Sequence, residues 1–282
     1  MPTADELKAL VARMPDHDPN GTYVNMDDEK IAAVQQVVAE LHKGGRDAVL
    51  GLIDMLVEPG QGDDTKPHFA LHLLAVHVTG PGVDQARARF AQAVALQAGG
   101  DRPKGVRKYL IQELALAGGK EVAEALGKVL LDPDLCDDAA RALAAIRDGA
   151  AEVLLAALPK VKGRSRLSVI KKLAVLRCAK AADAFKQALA DADADIRVAG
   201  AWGLARIVDP SAVNAMLKTA AAHRDWERFN ETDACFALAD GLMAGGKKAE
   251  AVAIYTHLRD TRTGRAERHI REAAERALAA AK

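Results

Sequence analysis

DADADIRVAGAWGLARIVDPSAVNAMLKTA, Asp191 to Ala220, sets the register for the rest of the chain. Three aspartates at alternate positions lead into an apolar run, and Asp209-Pro210 then turns into a second one. Alternate carboxylates invite a calcium reading. An EF-hand loop beginning at Asp191 needs Gly at its sixth position and a bidentate Glu at its twelfth. Those positions hold Ile196 and Trp202. Without the flexible turn and the closing ligand, Asp191, Asp193 and Asp195 read as helix-opening groups. There they accept unpaired amide hydrogens and favour the positive end of the helix dipole.

Leu204 in this stretch has counterparts upstream. Leu114 lies in QELALAGG, Leu143 in RALAAIRD and Leu173 in KKLAVLRCA, so successive separations up to Leu204 are 29, 30 and 31 residues. Leu238 in CFALADGL follows 34 residues on. Short helices are expected to end at AGG, RDG, VDP and AGG again, each followed by a further apolar helical run. One helix pair cannot cover its own apolar face, so a period near 30 with two helices per unit predicts a stacked array. Upstream, IAAVQQVVAEL and VLGLIDML form one pair after an irregular segment, Met14 to Asp27. The linker EPGQGDDTKP closes that pair, with Pro67 suited to the first turn of the next helix. HFALHLLAVHV and VDQARARFAQAVAL follow, separated by Thr79 to Gly82.

The unit DIRVAGAWGLARIVDPSAVNAMLKTA resembles a HEAT repeat of the short bacterial kind. Asp195, Arg197, Ala201, Leu204, Asp209 and Pro210 occupy the matching places, and Val213 and Leu217 continue the second helix. Other units depart from the pattern: RDGAAEVLLAALP lacks the Pro, and KVKGRSRLSVIKKLAVL has a basic opening. The tail from Gly245 to Ala280 is TPR-like in its Ala and Tyr pattern. The resemblance implies an all-α fold, a right-handed α-solenoid of HEAT-like helical hairpins. Residues 1–65 would be an amino-terminal cap or degenerate repeat, and residues 66–282 the array with its closing unit. It also implies a ladder in which Arg197 pairs with Asp193 or with a carboxylate of the adjacent repeat.

Composition agrees with helices. Half the residues are apolar but only 4% are aromatic, which suits close helix packing better than strands. Lys plus Arg and Asp plus Glu both stand at 39, so net charge gives no case for nucleic acid. The charge is unevenly spread: residues 1–64 hold 13 acidic against 5 basic residues, and residues 147–180 hold 9 basic against 2 acidic. Cys136, Cys178 and Cys235 are far apart and form no CxxC pair, so they read as structural thiols in apolar patterns. No apolar run is long enough to span a membrane, and no signal peptide opens the chain. That favours the cytoplasm, or the periplasm if MPTADEL follows a removed signal.

His68 and His72 share a helical face, yet the residues between them lack the Glu of HExxH, and no carboxylate or Cys cluster stands nearby in sequence. His223, His257 and His269 are isolated. No metal or cofactor is therefore expected. Walker, dinucleotide, GxSxG and HExxH signatures are absent, so no catalytic residue is assigned. The candidate partner-binding residues are Lys162, Arg164 and Arg166 at a helix opening, Arg197, and the segment carrying Arg224, Trp226 and Arg228. Arg grips carboxylate or phosphate through two parallel bonds. Trp202, inside a patterned helix, is expected to face the core or lie half-buried.

The leading expectation is a non-enzymatic scaffold that binds a protein or peptide, especially an acidic one, through a concave surface. Second helices would supply it, with residues 59–67 and 222–232 as lips; self-association stays open. The alternative is a nucleic-acid-binding protein similar to the HEAT-like alkylpurine DNA glycosylases. That reading requires Lys104, Arg107, Lys162, Arg164, Arg166 and Arg228 to converge on one stripe with Trp226.

Overall fold

The structure, a computed structural model, describes residues 3–18, 26–222 and 224–281. Fifteen α-helices and no strand occur among them. The chain divides into two compact units, Met1–Val153 and Leu154–Lys282. No described helix is long and apolar enough to cross a membrane.

The first unit contains α1 (Ala4–Ala12), α2 (Asp28–Asp54), α3 (Thr65–Val78), α4 (Asp84–Ala98), α5 (Lys104–Ala117), α6 (Ala123–Val129) and α7 (Cys136–Ile146), and α8 (Ala150–Ala157) runs across the division. A capping box starts α1, with Thr3 and Glu6 each satisfying the other's backbone amide. The expected pair IAAVQQVVAEL and VLGLIDML is one long α2 interrupted at Gly45, whose φ of 56° and ψ of −136° break the helical run. Positive φ at this point suits Gly, which has no Cβ to clash. Pro67 does sit in the first turn of α3. Of the expected irregular segment, residues 14–18 and 26–27 are non-helical and the remainder lies outside the described residues. Within the unit α2 packs on α3 and α4, α4 on α5, and α5 and α6 on α7.

The second unit contains α9 (Gly163–Val175), α10 (Ala182–Ala188), α11 (Ala194–Ile207), α12 (Val213–Ala222), α13 (Asp225–Ala244), α14 (Lys248–Thr261) and α15 (Arg268–Ala280). Here α9, α11 and α13 pack in succession, α10 lies against α11, α12 against α13, and α14 bridges α13 and α15. This is a sequential helix-hairpin pattern. Residues 225–232 belong to α13, so most of the segment expected as a lip is helical.

The leucine register explains the packing. Leu114, Leu143, Leu173, Leu204 and Leu238 fall on α5, α7, α9, α11 and α13, and each is 0% exposed. Full burial of a Leu side chain contributes about 1.5–3 kcal/mol relative to exposure. Tight approach accompanies it in the repeat that opened the sequence reading. A Cβ on Gly203 would lie 2.6 Å from the buried Phe185 ring of α10, so only Gly admits that ring.

Helix ends repeat as well. Arg177, Val208 and Gly246 all adopt positive φ. The next amide in each case donates five residues back, Cys178 to Leu173 O at 3.0 Å, Asp209 to Leu204 O at 3.2 Å and Lys247 to Leu242 O at 2.8 Å. These are Schellman closures, which satisfy carbonyls left open at a helix end. Short 3-10 turns then start six residues after the register leucine, at Lys120, Ala179 and Pro210.

Candidate functional site

The alternate aspartates open a helix. Asp193 is the N-cap of α11 and its Oδ1 accepts from the Asp195 amide at 2.8 Å, while Asp191 Oδ1 accepts from the Asp193 amide at 3.0 Å. No group of three or more His, Cys, Asp and Glu placed to hold a metal occurs among the described residues. His68 and His72 turn to separate carboxylates: His68 Nδ1 lies 3.0 Å from Asp64 and His72 Nδ1 lies 3.1 Å from Glu113. His223 lies outside the described residues. All three cysteines are buried and none is in a disulfide, and burial pushes the Cys235 thiol up to about 12.

Three arginines occupy one register position, seven residues before the central leucine: Arg107, Arg166 and Arg197. Arg107 donates to Ala98 O at 2.9 Å and pairs with Asp132 at 3.2 Å. Arg166 pairs with Asp191 at 3.4 Å, the position equivalent to Asp132. Arg197 donates to Asp191 O at 2.7 Å and Ala192 O at 2.9 Å, and its fork holds both oxygens of Glu227, one at 2.8 Å. The expected carboxylate of the adjacent unit is thus Glu227. Hydrogen bonding to Glu227 holds the Arg197 guanidinium more firmly protonated than usual. Each arginine ties successive parts of the chain through bonds that one planar fork can make together.

Arg228 does the same at the closing end. It pairs with Glu267 at 2.7 Å and donates to Ala220 O at 3.1 Å. Hydrogen bonding from Arg228 holds the Glu267 carboxyl below the usual carboxylate range. Lys104 pairs with Asp134. So Arg166, Arg197 and Arg228 are engaged within the chain, whereas Lys162, Arg164 and Arg224 are exposed with no ion pair among the described residues.

Trp226 is 53% exposed on the first turn of α13. It faces a groove of about 390 Å³ between α9, α11 and α13, which Lys171, Lys172, Asp195, Val198, Trp202 and Asn230 also line. Asn230 Nδ2 donates to Trp226 O at 2.7 Å. Of the two expected placements, core-facing or half-buried, Trp202 does not take the first and lies at the exposed limit of the second. It is 36% exposed, with the Arg206 guanidinium carbon 5.4 Å from its ring centroid. Gly200 and Gly203 take the side of α11 that meets Phe185 and Ala188 of α10, and Trp202 projects off that line. The aromatic groove therefore belongs to first helices of the hairpins, where second helices were expected to carry the binding surface.

The other side of α13 borders a second cavity, about 740 Å³, lined by Arg224, Arg228, Phe229, Arg265 and His269 and floored by Thr232 and Ile270. Asp225 and Glu267 also line it. Glu267 Oε1 serves two guanidiniums, Arg228 at 2.7 Å and the fully buried Arg262 at 3.6 Å. Arg262 is anchored by Thr232 Oγ1 at 2.9 Å and Ala220 O at 3.1 Å. Phe229 is 52% exposed. Sequence reading selected Arg224, Trp226 and Arg228 in this region but missed Phe229, Arg265 and His269. The closeness of Arg224 and Arg228 in sequence was the one local signal: Arg224 is the extended N-cap residue of α13 and Arg228 lies on its first turn, and both line the cavity.

These features define an all-α protein of sequentially packed helical hairpins with repeat-like register. No family model matches the chain, and no curated protein matches it. Among solved structures, a crystal structure of an engineered protein from the Northeast Structural Genomics Consortium is similar over 98% of this chain and 78% of its own, at 17% identity and a TM-score of 0.48. A second engineered protein from the same consortium is similar over 98% and 96% of the two chains, at 20% identity and a TM-score of 0.32.

Proposed function

We propose that the chain is a non-enzymatic scaffold, a HEAT-like α-solenoid with a TPR-like closing unit, that binds an acidic protein segment or peptide. The observation that carries this reading is the pair of exposed tryptophans, Trp202 and Trp226, flanking one groove beside Lys171 and Lys172. Trp and Arg are enriched among the few residues that carry most of the binding energy, where they fill well-packed, desolvated pockets. Lys172 and Lys171 add attraction for carboxylates, and the Arg224 side of α13 offers a second cationic contact. An extended segment crossing the first turns of α13 meets both.

The nucleic-acid alternative needs free cations along a stripe. Lys104, Arg107, Arg166 and Arg228 are instead neutralised by Asp134, Asp132, Asp191 and Glu267. That supports the peptide reading.

The test is affinity capture from native extract with wild type, Trp226→Ala and Arg164→Ala, followed by titration of the captured partner. Trp226→Ala is expected to weaken binding by about tenfold or more. Bound partner is also expected to shift tryptophan emission, since both tryptophans line the groove. Unchanged affinity in both variants would remove the proposed anchors.

A further inference from the structure

The break in α2 borders a cationic pocket that sequence reading passed over. We propose that it binds an oxyanion, a phosphate group carried free or on a small ester. A cavity of about 170 Å³ lies where the broken α2 meets α3 and α4, and a neighbouring one of about 300 Å³ shares two of its residues. Those shared residues are Arg46 and Arg89. Lys43 and His42 complete the rim of the smaller cavity. Its floor is apolar, with Leu41, Leu74 and Phe90 buried. Among the described residues no Asp or Glu lines either cavity.

That absence of acid is notable for its setting. The unit Met1–Val153 carries 24 acidic against 16 basic residues, a net of −8. Elsewhere in this unit arginines find carboxylates: Arg13 pairs with Glu40, Arg87 with Glu121 and Arg107 with Asp132. Arg46 and Arg89 make no ion pair or hydrogen bond among the described residues, although Asp47 follows Arg46 in sequence. Two unpaired guanidiniums beside a lysine repel one another unless an anion sits between them. A planar fork matches a tetrahedral oxyanion through two parallel bonds, so Arg46 and Arg89 together suit a phosphate dianion. The apolar floor suits the carbon body of a monoester. His42 packs edge-on against His77 at 4.8 Å between ring centroids, which braces this side of the pocket. Gly45 makes the geometry at the break: a Cβ there meets nothing within 4 Å, so its need for Gly comes from positive φ alone.

Isothermal titration of the full chain with phenyl phosphate and with inorganic phosphate tests the assignment. Wild type is expected to bind phenyl phosphate, and Arg46→Gln and Arg89→Gln are each expected to raise Kd about tenfold. Arg265→Gln, at the cavity beside α13, is expected to leave Kd unchanged. Both pocket arginines are exposed, so thermal midpoints without ligand should match wild type. Tighter binding of phenyl phosphate assigns the site to an ester, whereas equal or tighter binding of inorganic phosphate assigns it to the free ion. Absence of heat with both probes at about 10 mM overturns the proposal. So does an undiminished affinity in both arginine variants.

Discussion

Glu113 shows how one residue can carry a burial cost inside an otherwise apolar face. It lies one position before the register leucine of α5, is 4% exposed, and its carboxylate meets His72 Nδ1 at 3.1 Å. Burial raises its pKa above the ordinary carboxylate value, with His72 pulling the other way. Burial also raises the hydroxyl of neighbouring Tyr109, helped by the charge on Glu113, and that hydroxyl donates to His68 O at 2.6 Å. A carboxyl whose folded pKa exceeds its unfolded one holds its proton more tightly when folded. The stability it contributes is therefore full below the unfolded value and is lost as pH rises through the folded value. Glu113→Gln abolishes that loss. The variant is expected to gain on wild type as pH rises from about 4 to about 7, measured by urea denaturation at each pH. A difference that does not vary with pH would mean that the His72 contact cancels the burial of charge and would overturn the expectation.

At the scale of the element, helix termination recurs with the same register as the core. The carbonyls of Leu173 and Leu204 each accept the closing bond of their helix, while their side chains fill the interior. One residue per helix must then turn left-handed, and in α9 it is Arg177 at φ 50°. A non-Gly residue in that region costs about 1 kcal/mol or more, because Cβ approaches the neighbouring carbonyl. Arg177 is exposed and leaves the packing untouched on substitution. Arg177→Gly is expected to raise stability by about 1 kcal/mol, less a part returned to the freer unfolded chain. Chemical denaturation against Arg177→Ala isolates the backbone effect, and equal stability of the two would sink the strain account. Val208 pays the same conformational cost at φ 54°, but its side chain packs beside Gly241, where a Cβ would come within 2.9 Å of it. Replacing Val208 therefore removes contacts as well as strain.

Across the whole molecule, neutrality conceals opposed halves. Met1–Val153 carries −8 and Leu154–Lys282 carries +8. A basic half of this size attracts polyanions at long range, yet tight duplex binding requires several phosphates neutralised at once. Four of the 23 basic residues of that half, Arg166, Lys186, Arg197 and Arg228, are already matched by internal carboxylates and do not stand free for phosphates. Duplex DNA is expected to bind weakly at low salt and to dissociate by about 0.15 M, with a shallow dependence of log affinity on log salt. Fluorescence anisotropy with a labelled duplex checks this. A slope corresponding to six or more phosphate contacts would favour the nucleic-acid alternative.

What the sequence determined by itself was the helical class, the register and most helix boundaries. Those features are local: a 3.6-residue apolar pattern, Gly and Pro at turns, and a leucine recurring near every 30 residues. They predicted five buried leucines and the helix-opening role of Asp193 because each depends on neighbours a few residues away. Tertiary structure decided which charges remain for a partner. Arg197 meets a carboxylate 30 residues on, and Arg228 one 39 residues on, so neither pairing is visible in a local window. It also turned Trp202 outward, since the side of α11 that holds Gly200 and Gly203 was taken by Phe185. Arg46 and Arg89 likewise meet only through the packing of α2 on α4. Local pattern specifies elements because their hydrogen bonds close within a turn. Binding surfaces arise from residues that distant packing leaves unpaired, and that subtraction is made only in three dimensions.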